Sequence, residues 1–164
     1  MSRIVQLAAV SLLFVLPSAG RAEGRDIERY IARAEIEDLI TRYTYAFDAL
    51  DADAYVRTFT EDAVFDLGGG DVRKGRDGIR SIITERQAKP PDPATLEHHV
   101  ITNSLIEFVA DDRVHHRAYW LTIIGDFAHG FAVPAMGKYD DVIVKRNGEW
   151  LIESRRLVLP EGGQ

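Results

Sequence analysis

The order of patterns along the chain predicts an α+β fold, with the helices laid against one face of a strongly curved, mostly antiparallel sheet. Three observations carry this. Apolar residues recur at three- and four-residue spacings over Asp26–Leu50, which makes one stripe of a long helix. After a proline-rich break the chain is β-rich to its end, in four long runs. Turn residues separate those runs, and Asn147-Gly148 is the strongest short hairpin signal among them. Helices followed by consecutive hairpins place the helices on one side of an antiparallel sheet. A curved sheet wrapped around a long helix leaves a concave space between them, the kind of place small molecules occupy.

In the first helix Ile36, Leu39, Ile40, Tyr43, Phe47 and Leu50 form the inward stripe. Asp51 then caps a shorter helix carrying Tyr55, Val56 and Phe59, which Thr60, Glu61 and Asp62 close. Ala63–Leu67 is a short strand and Gly68-Gly69-Gly70-Asp71 a turn. A third helix covers Asp77–Gln87, with Ile79, Ile82 and Ile83 inward. Lys89-Pro90-Pro91-Asp92-Pro93 can only be a loop. The long strands are His98–Val109 and Arg113–Phe127, joined at Asp111-Asp112, and Tyr139–Arg146 and Glu149–Leu159, joined at Asn147-Gly148. Ala128–Gly137 reads as a connecting loop.

The chain has 164 residues, enough for one domain with a substantial core. Its charge of −6 and lack of a basic run disfavour nucleic acid as a partner. With no cysteine there is no disulfide, zinc-thiolate site, iron–sulfur cluster or cysteine nucleophile. Residues 1–22 read as a signal peptide: Arg3 precedes an apolar run over Ile4–Leu16, Pro17 and Ser18 end it, and Gly20 and Ala22 suit cleavage before Glu23. That run is shorter than the roughly 20 residues a spanning helix needs, so no stable membrane insertion is expected after processing. On that reading residues 23–164 form one exported, periplasmic domain; the alternative is a buried N-terminal helix or an uncleaved anchor.

Several short words, in order, resemble the SnoaL-like branch of the nuclear transport factor 2-like superfamily. They are Glu37-Asp38-Leu39-Ile40 through Tyr43 to Asp48, Phe59-Thr60-Glu61-Asp62-Ala63-Val64-Phe65, Gly75-Arg76-Asp77-Gly78-Ile79, His98-His99-Val100-Ile101-Thr102-Asn103 and Gly148-Glu149-Trp150-Leu151-Ile152. The resemblance implies a cone-shaped fold enclosing a pocket. Within the branch the chain is similar to cofactor-free lyases: scytalone dehydratase, bile-acid 7α-dehydratase and hexachlorocyclohexane dehydrochlorinase. Their site carries over as Asp48 orienting His99, the base, with Tyr43 five residues before the aspartate and Arg155 five after Trp150. Where scytalone dehydratase has two tyrosines and a second histidine, this chain has Phe47, Leu67 and, nearby, Ala118. The resemblance implies no cofactor, a small apolar or polycyclic substrate, elimination of water or halide (or isomerisation), and a homodimer or homotrimer. Two alternatives keep the fold without the chemistry: a binding or accessory domain, and a structural subunit like the β chain of ring-hydroxylating dioxygenases.

The residue patterns weigh these candidates differently. Asp48 lies roughly 140° around the helix from Tyr43, which by periodicity alone makes it a surface aspartate. Alternation sends His98 and His99 to opposite faces. Tyr43 lies at the centre of the apolar stripe, where core packing also accounts for it. Counting back from Asn147-Gly148 sets Arg155 opposite Asp140, a cross-strand ion pair, with Arg156 on the other face. Pairing about Asp111-Asp112 sets His99 opposite residue 124 and His115 opposite Phe108. His98-His99 and His115-His116 are then far apart, and no metal site is expected.

Overall fold

The computed structural model of the chain describes residues 19–89, 92 and 95–160. The expected signal segment lies outside them except for its last four residues, which open the first helix. Helix α1 spans Ala19–Asp48, α2 Ala52–Arg57 and α3 Gly75–Ala88. The strands are β1 Phe59–Asp66, β2 Val72–Lys74, β3 Leu96–Ala110, β4 Arg113–Asp126, β5 Gly130–Arg146 and β6 Glu149–Val158. They form one sheet in the order β2-β1-β6-β5-β4-β3, antiparallel throughout except where β1 runs parallel to β6. The α+β architecture of three helices on a mostly antiparallel sheet is the one the element order predicts.

The stripe of α1 makes the core. Ala32, Ile36, Leu39, Ile40, Tyr43 and Ala46 are buried in one cluster with Ile106, Val114, Ile143 and Ile152 of the sheet. Each large apolar side chain removed from water here contributes about 1.5–3 kcal/mol. Glu35 fastens the same helix to the β5–β6 hairpin, accepting hydrogen bonds from Lys145 Nζ at 2.9 Å and Trp150 Nε1 at 3.0 Å. At the other end Leu50 adopts φ 53°, and the Asp51 N–H reaches back to the Ala46 carbonyl at 2.9 Å. Asp51 then caps α2, accepting from the Ala54 N–H at 2.9 Å. This tight reversal fixes where α1 stops, and so fixes Asp48.

Three expectations about the elements need correction. Phe59–Asp62 do not close α2; they begin β1. The Ile152 N–H donates to the Thr58 carbonyl at 2.9 Å, and Phe59 pairs with Ile152. A helix of one and a half turns has little stability of its own, so the neighbouring strand wins. A short strand, Val72–Lys74, was not anticipated after the glycine turn; it pairs with β1. Nor is Ala128–Gly137 a loop: only Phe127–His129 turn, and β5 is paired with β4 from Gly130 onward. Pro134 is tolerated because Val133 and Pro134 together oppose Ile123, a bulge where no ladder N–H is required.

Bulges also correct the counted registers. Asn103 and Ser104 together oppose Ala118, and Val109 is extra near the turn, so His99 pairs with Thr122 and His115 with Glu107. Asn103, at φ 56°, adopts the left-handed backbone such a bulge favours. In β6, Glu153 is extra, which sets Arg155 opposite Asp141 and leaves Asp140 to Arg156. The Asn147-Gly148 hairpin itself forms as expected, with φ values of 52° and 88°.

The β4–β5 turn offers a test. A Cβ on Gly125 would lie 2.1 Å from the Gly130 carbonyl oxygen and 2.8 Å from the Phe131 Cα, at φ 154°. Gly125→Ala should therefore cost about 2–4 kcal/mol, read as a lower urea midpoint. A wild-type midpoint would contradict this strand pairing.

Candidate active site

The last turn of α1 meets the start of β3, an edge strand whose outer side is paired with no strand among the described residues. Asp48 fills that gap. Its Oδ2 accepts the His99 main-chain N–H at 3.1 Å, and its Oδ1 lies 2.6 Å from His99 Nδ1. Its helical angle gives no hint of this, because the edge strand covers α1 beyond the arc that the rest of the sheet buries. The Asp48 side chain is 18% exposed and that of His99 15%. His98 points to the other face, although its Nδ1 stands 3.4 Å from Asp48 Oδ2.

Burial works against ionising Asp48. The hydrogen bonds from the His99 ring and main chain, and the charge of an imidazolium there, outweigh it, so the carboxyl sits below its ordinary range. A carboxylate only accepts, so His99 Nδ1 carries the shared proton. In the neutral ring Nε2 is then the nitrogen with the lone pair, and it has no hydrogen-bond partner among the described residues. The Phe47 ring stands edge-on to the imidazole, centroids 4.6 Å apart.

His99 lines a pocket of about 370 Å3 whose walls are mainly aromatic and aliphatic. Phe47 and Leu67 are in those walls. Tyr43 is in them too, and with it come Tyr55 and Tyr139. Tyr55 donates to the Tyr43 oxygen at 3.2 Å, and the Tyr43 and Tyr139 oxygens are 3.4 Å apart. Burial, with the neighbouring Tyr43, pushes the Tyr55 and Tyr139 phenols well above their ordinary values. Neither tyrosine was singled out from the sequence; Tyr55 read as the apolar side of a helix, and Tyr139 as the first residue of a strand. A wider cavity of about 730 Å3 shares Phe47, Leu67, Ile82 and Arg86 with the pocket and carries Asp71, Arg73, Glu85 and Lys89 on its rim.

Arg155 is inward but behind this wall. It is 1% exposed, and its guanidinium lies 4.1 Å from the Tyr43 ring centre and 3.9 Å from that of Tyr139. Its Nε and one terminal nitrogen donate to the two oxygens of Asp141 at 2.9 and 2.7 Å. The second of those oxygens is also 2.8 Å from His116 Nδ1, and His116 Nε2 is 3.2 Å from Ser104 Oγ. Burial disfavours both charges, but their mutual attraction is stronger: Arg155 stays protonated and Asp141 is held below the usual carboxylate range. Among the described residues no group of three or more His, Cys, Asp or Glu side chains is arranged to hold a metal ion.

The SnoaL-like domain family matches residues 28–156, and the chain belongs to that family. Similar solved structures include a nuclear transport factor 2-like protein with a cystatin-like fold from Novosphingobium aromaticivorans, with 21% identity over 90% of this chain and 94% of that one and a TM-score of 0.75. A candidate scytalone dehydratase from the same organism is 20% identical, over 85% of this chain and 99% of its own, with a TM-score of 0.69. Rv3472(D26N), a protein of unknown function from Mycobacterium tuberculosis, is 27% identical over 81% of this chain and 74% of its own, with a TM-score of 0.70. No curated protein matches the chain.

The depressed carboxyls of Asp48 and Asp141 make stability depend on acid in a defined sense. Each contributes stability that is complete above its unfolded value near 3.8 and is lost as pH falls through the lower folded value. Asp141→Asn should remove part of that acid dependence. It should also cost about 3–5 kcal/mol at neutral pH, because Arg155 is left buried without its counter-charge. Denaturant unfolding measured from neutral to strongly acidic pH checks both, and wild-type stability in this variant would refute the account of the pair.

Proposed function

We propose that the protein is a cofactor-free lyase or isomerase that removes a proton from a small, mostly apolar substrate. The observation that carries this is the 2.6 Å contact between Asp48 and His99 at the wall of an apolar pocket. His99 Nε2 takes a proton from carbon; Asp48 fixes the tautomer and stabilises the imidazolium that forms. Tyr43 donates to the developing oxyanion or the departing group, and Arg155 supports it from behind. The electron pair freed at carbon then expels water or halide, or the proton returns at another carbon and the product is an isomer. Similarity to a candidate scytalone dehydratase supports the elimination, and family membership supports the small-molecule pocket.

The test is a panel of hydroxy-ketones and halogenated rings, followed by NMR in D2O for loss of water or halide or uptake of deuterium. His99→Gln and Asp48→Asn should each slow the reaction found by about 10²–10⁴-fold. Turnover unchanged in both would rule out the pair as base. Binding without any exchange or turnover across the panel would point instead to a ligand-binding domain.

The same proposal has the protein exported to the periplasm and working as a homodimer or homotrimer. Its support is the apolar segment before Glu23 and the resemblance of the chain. Export predicts that protein recovered from the periplasm has a mass beginning at Glu23; a full-length mass in the cytoplasm would count against it.

A further inference from the structure

Glu97 stands two residues before His99 on β3. Alternation puts both on the pocket side of the strand, and two residues of strand set them roughly 6–7 Å apart. Both are in the pocket wall, and so is Arg86 of α3. Arg86 Nη2 donates to Glu97 Oε1 at 2.8 Å, with the two side chains 33% and 17% exposed. The Arg86 guanidinium also lies 4.9 Å from the centre of the Phe47 ring, the ring that stands edge-on to the His99 imidazole. Its Nε is buried with no partner, and among the described residues nothing hydrogen-bonds Nη1 or the second oxygen of Glu97. Arg86 lines the wider cavity as well, so the pair stands where the two spaces meet.

A partly exposed ion pair adds little to stability, so folding alone gives a weak reason for one in the wall of an apolar pocket. The pair does offer a spare donor and a spare acceptor side by side. One small group satisfies both at once: a hydroxyl, whose oxygen accepts from Arg86 and whose proton goes to Glu97. A carboxylate is repelled by Glu97 and an ammonium by Arg86, and either must also give up its water to enter apolar surroundings. An ether or a ketone can use only the donor. We infer that Arg86 and Glu97 form a specificity subsite for an uncharged hydroxyl, and that the substrate is an apolar ring compound carrying that hydroxyl roughly 6–7 Å from the carbon that loses its proton. The position of that carbon rests on the proposal that His99 is the base. The hydroxyl held here is an anchor and is not the group that leaves.

Four ligands with one apolar body test the subsite by calorimetry at neutral pH, with no need to know the substrate. They are para-tert-butylphenol, tert-butylbenzene, para-tert-butylanisole and para-tert-butylbenzoate: a hydroxyl, no polar group, an acceptor only and an anion. The wild type should bind the phenol about tenfold more tightly than the hydrocarbon or the anisole, and the benzoate least. Glu97→Gln keeps the shape of the side chain and removes its charge. It should weaken the phenol and tighten the benzoate about tenfold, because Arg86 is then a cation without a counter-charge. Arg86→Gln should weaken the phenol about tenfold and leave the hydrocarbon unchanged. Equal losses for phenol and hydrocarbon would show a purely structural wall. That result, a wild type that does not prefer the phenol to the anisole, or a benzoate still rejected by Glu97→Gln would each overturn the inference. His99→Gln separates the two readings: turnover there tests the base, whereas the preference for the hydroxyl should persist because Arg86 and Glu97 are intact.

Discussion

A salt bridge with both partners out of water is a demanding thing to build, and the Arg155–Asp141 pair sets terms for much of this structure. Both side chains are fully buried, and each would be severely destabilising alone. Their alignment requires Arg155 to stand opposite Asp141, which the extra residue Glu153 provides by shifting the β5–β6 register by one. Remaining lone pairs must be satisfied as well, and His116 from β4 takes one of them. One carboxylate thereby joins three strands near the C-terminal end of α1, at Tyr43. The guanidinium it holds presents its face to Tyr43 on α1 and to Tyr139 on β5, and so the charge that fixes the sheet also backs the pocket.

Among the described residues two His–Asp pairs face inward, and the contrast between them explains why only one is assigned chemistry. In His116–Asp141 the carboxylate is shared with an arginine, the imidazole is wholly buried, and Ser104 occupies its second nitrogen. Asp48 holds the ring and the main-chain N–H of His99, with His98 Nδ1 3.4 Å away on the exposed side, and the second ring nitrogen of His99 is uncommitted. Position in the sheet decides the difference. β4 is interior and seals its histidine; β3 is the outer strand and leaves His99 beside a cavity.

Much of the architecture was legible because periodicity and turn chemistry act locally. The stripe Ile36 to Phe47 buries as a helix stripe should, and Asn147-Gly148 makes the hairpin its backbone preferences dictate. The register errors share one cause. Bulges at Asn103-Ser104, Val109, Val133-Pro134 and Glu153 each add a residue that no local pattern announces, so counted registers drift by one or two. Arg155 was misassigned to Asp140 for this reason alone. Phe59–Asp62 failed differently: their preference for strand comes from a partner, Ile152, more than ninety positions away in the chain.

The site was legible only in part, and again for reasons of distance. Asp48 and His99 were found by resemblance, against helix periodicity, which describes the body of a helix packed on one surface and not its end where an edge strand wraps further round. Tyr55 and Tyr139 carried no signal at all. They lie 12 and 96 residues from Tyr43, on a short helix and a strand start, where an aromatic residue ordinarily means core packing. Their hydroxyls gain meaning only once the fold sets three of them against one cavity. The same holds for Arg155. Its reach ends at the tyrosine rings, so any influence on a ligand passes through the phenols, as charge behind a donor rather than as contact. That indirect arrangement keeps the guanidinium permanently neutralised by Asp141 and dry. It can then stabilise negative charge forming on the far side of the rings without offering the pocket a competing cation.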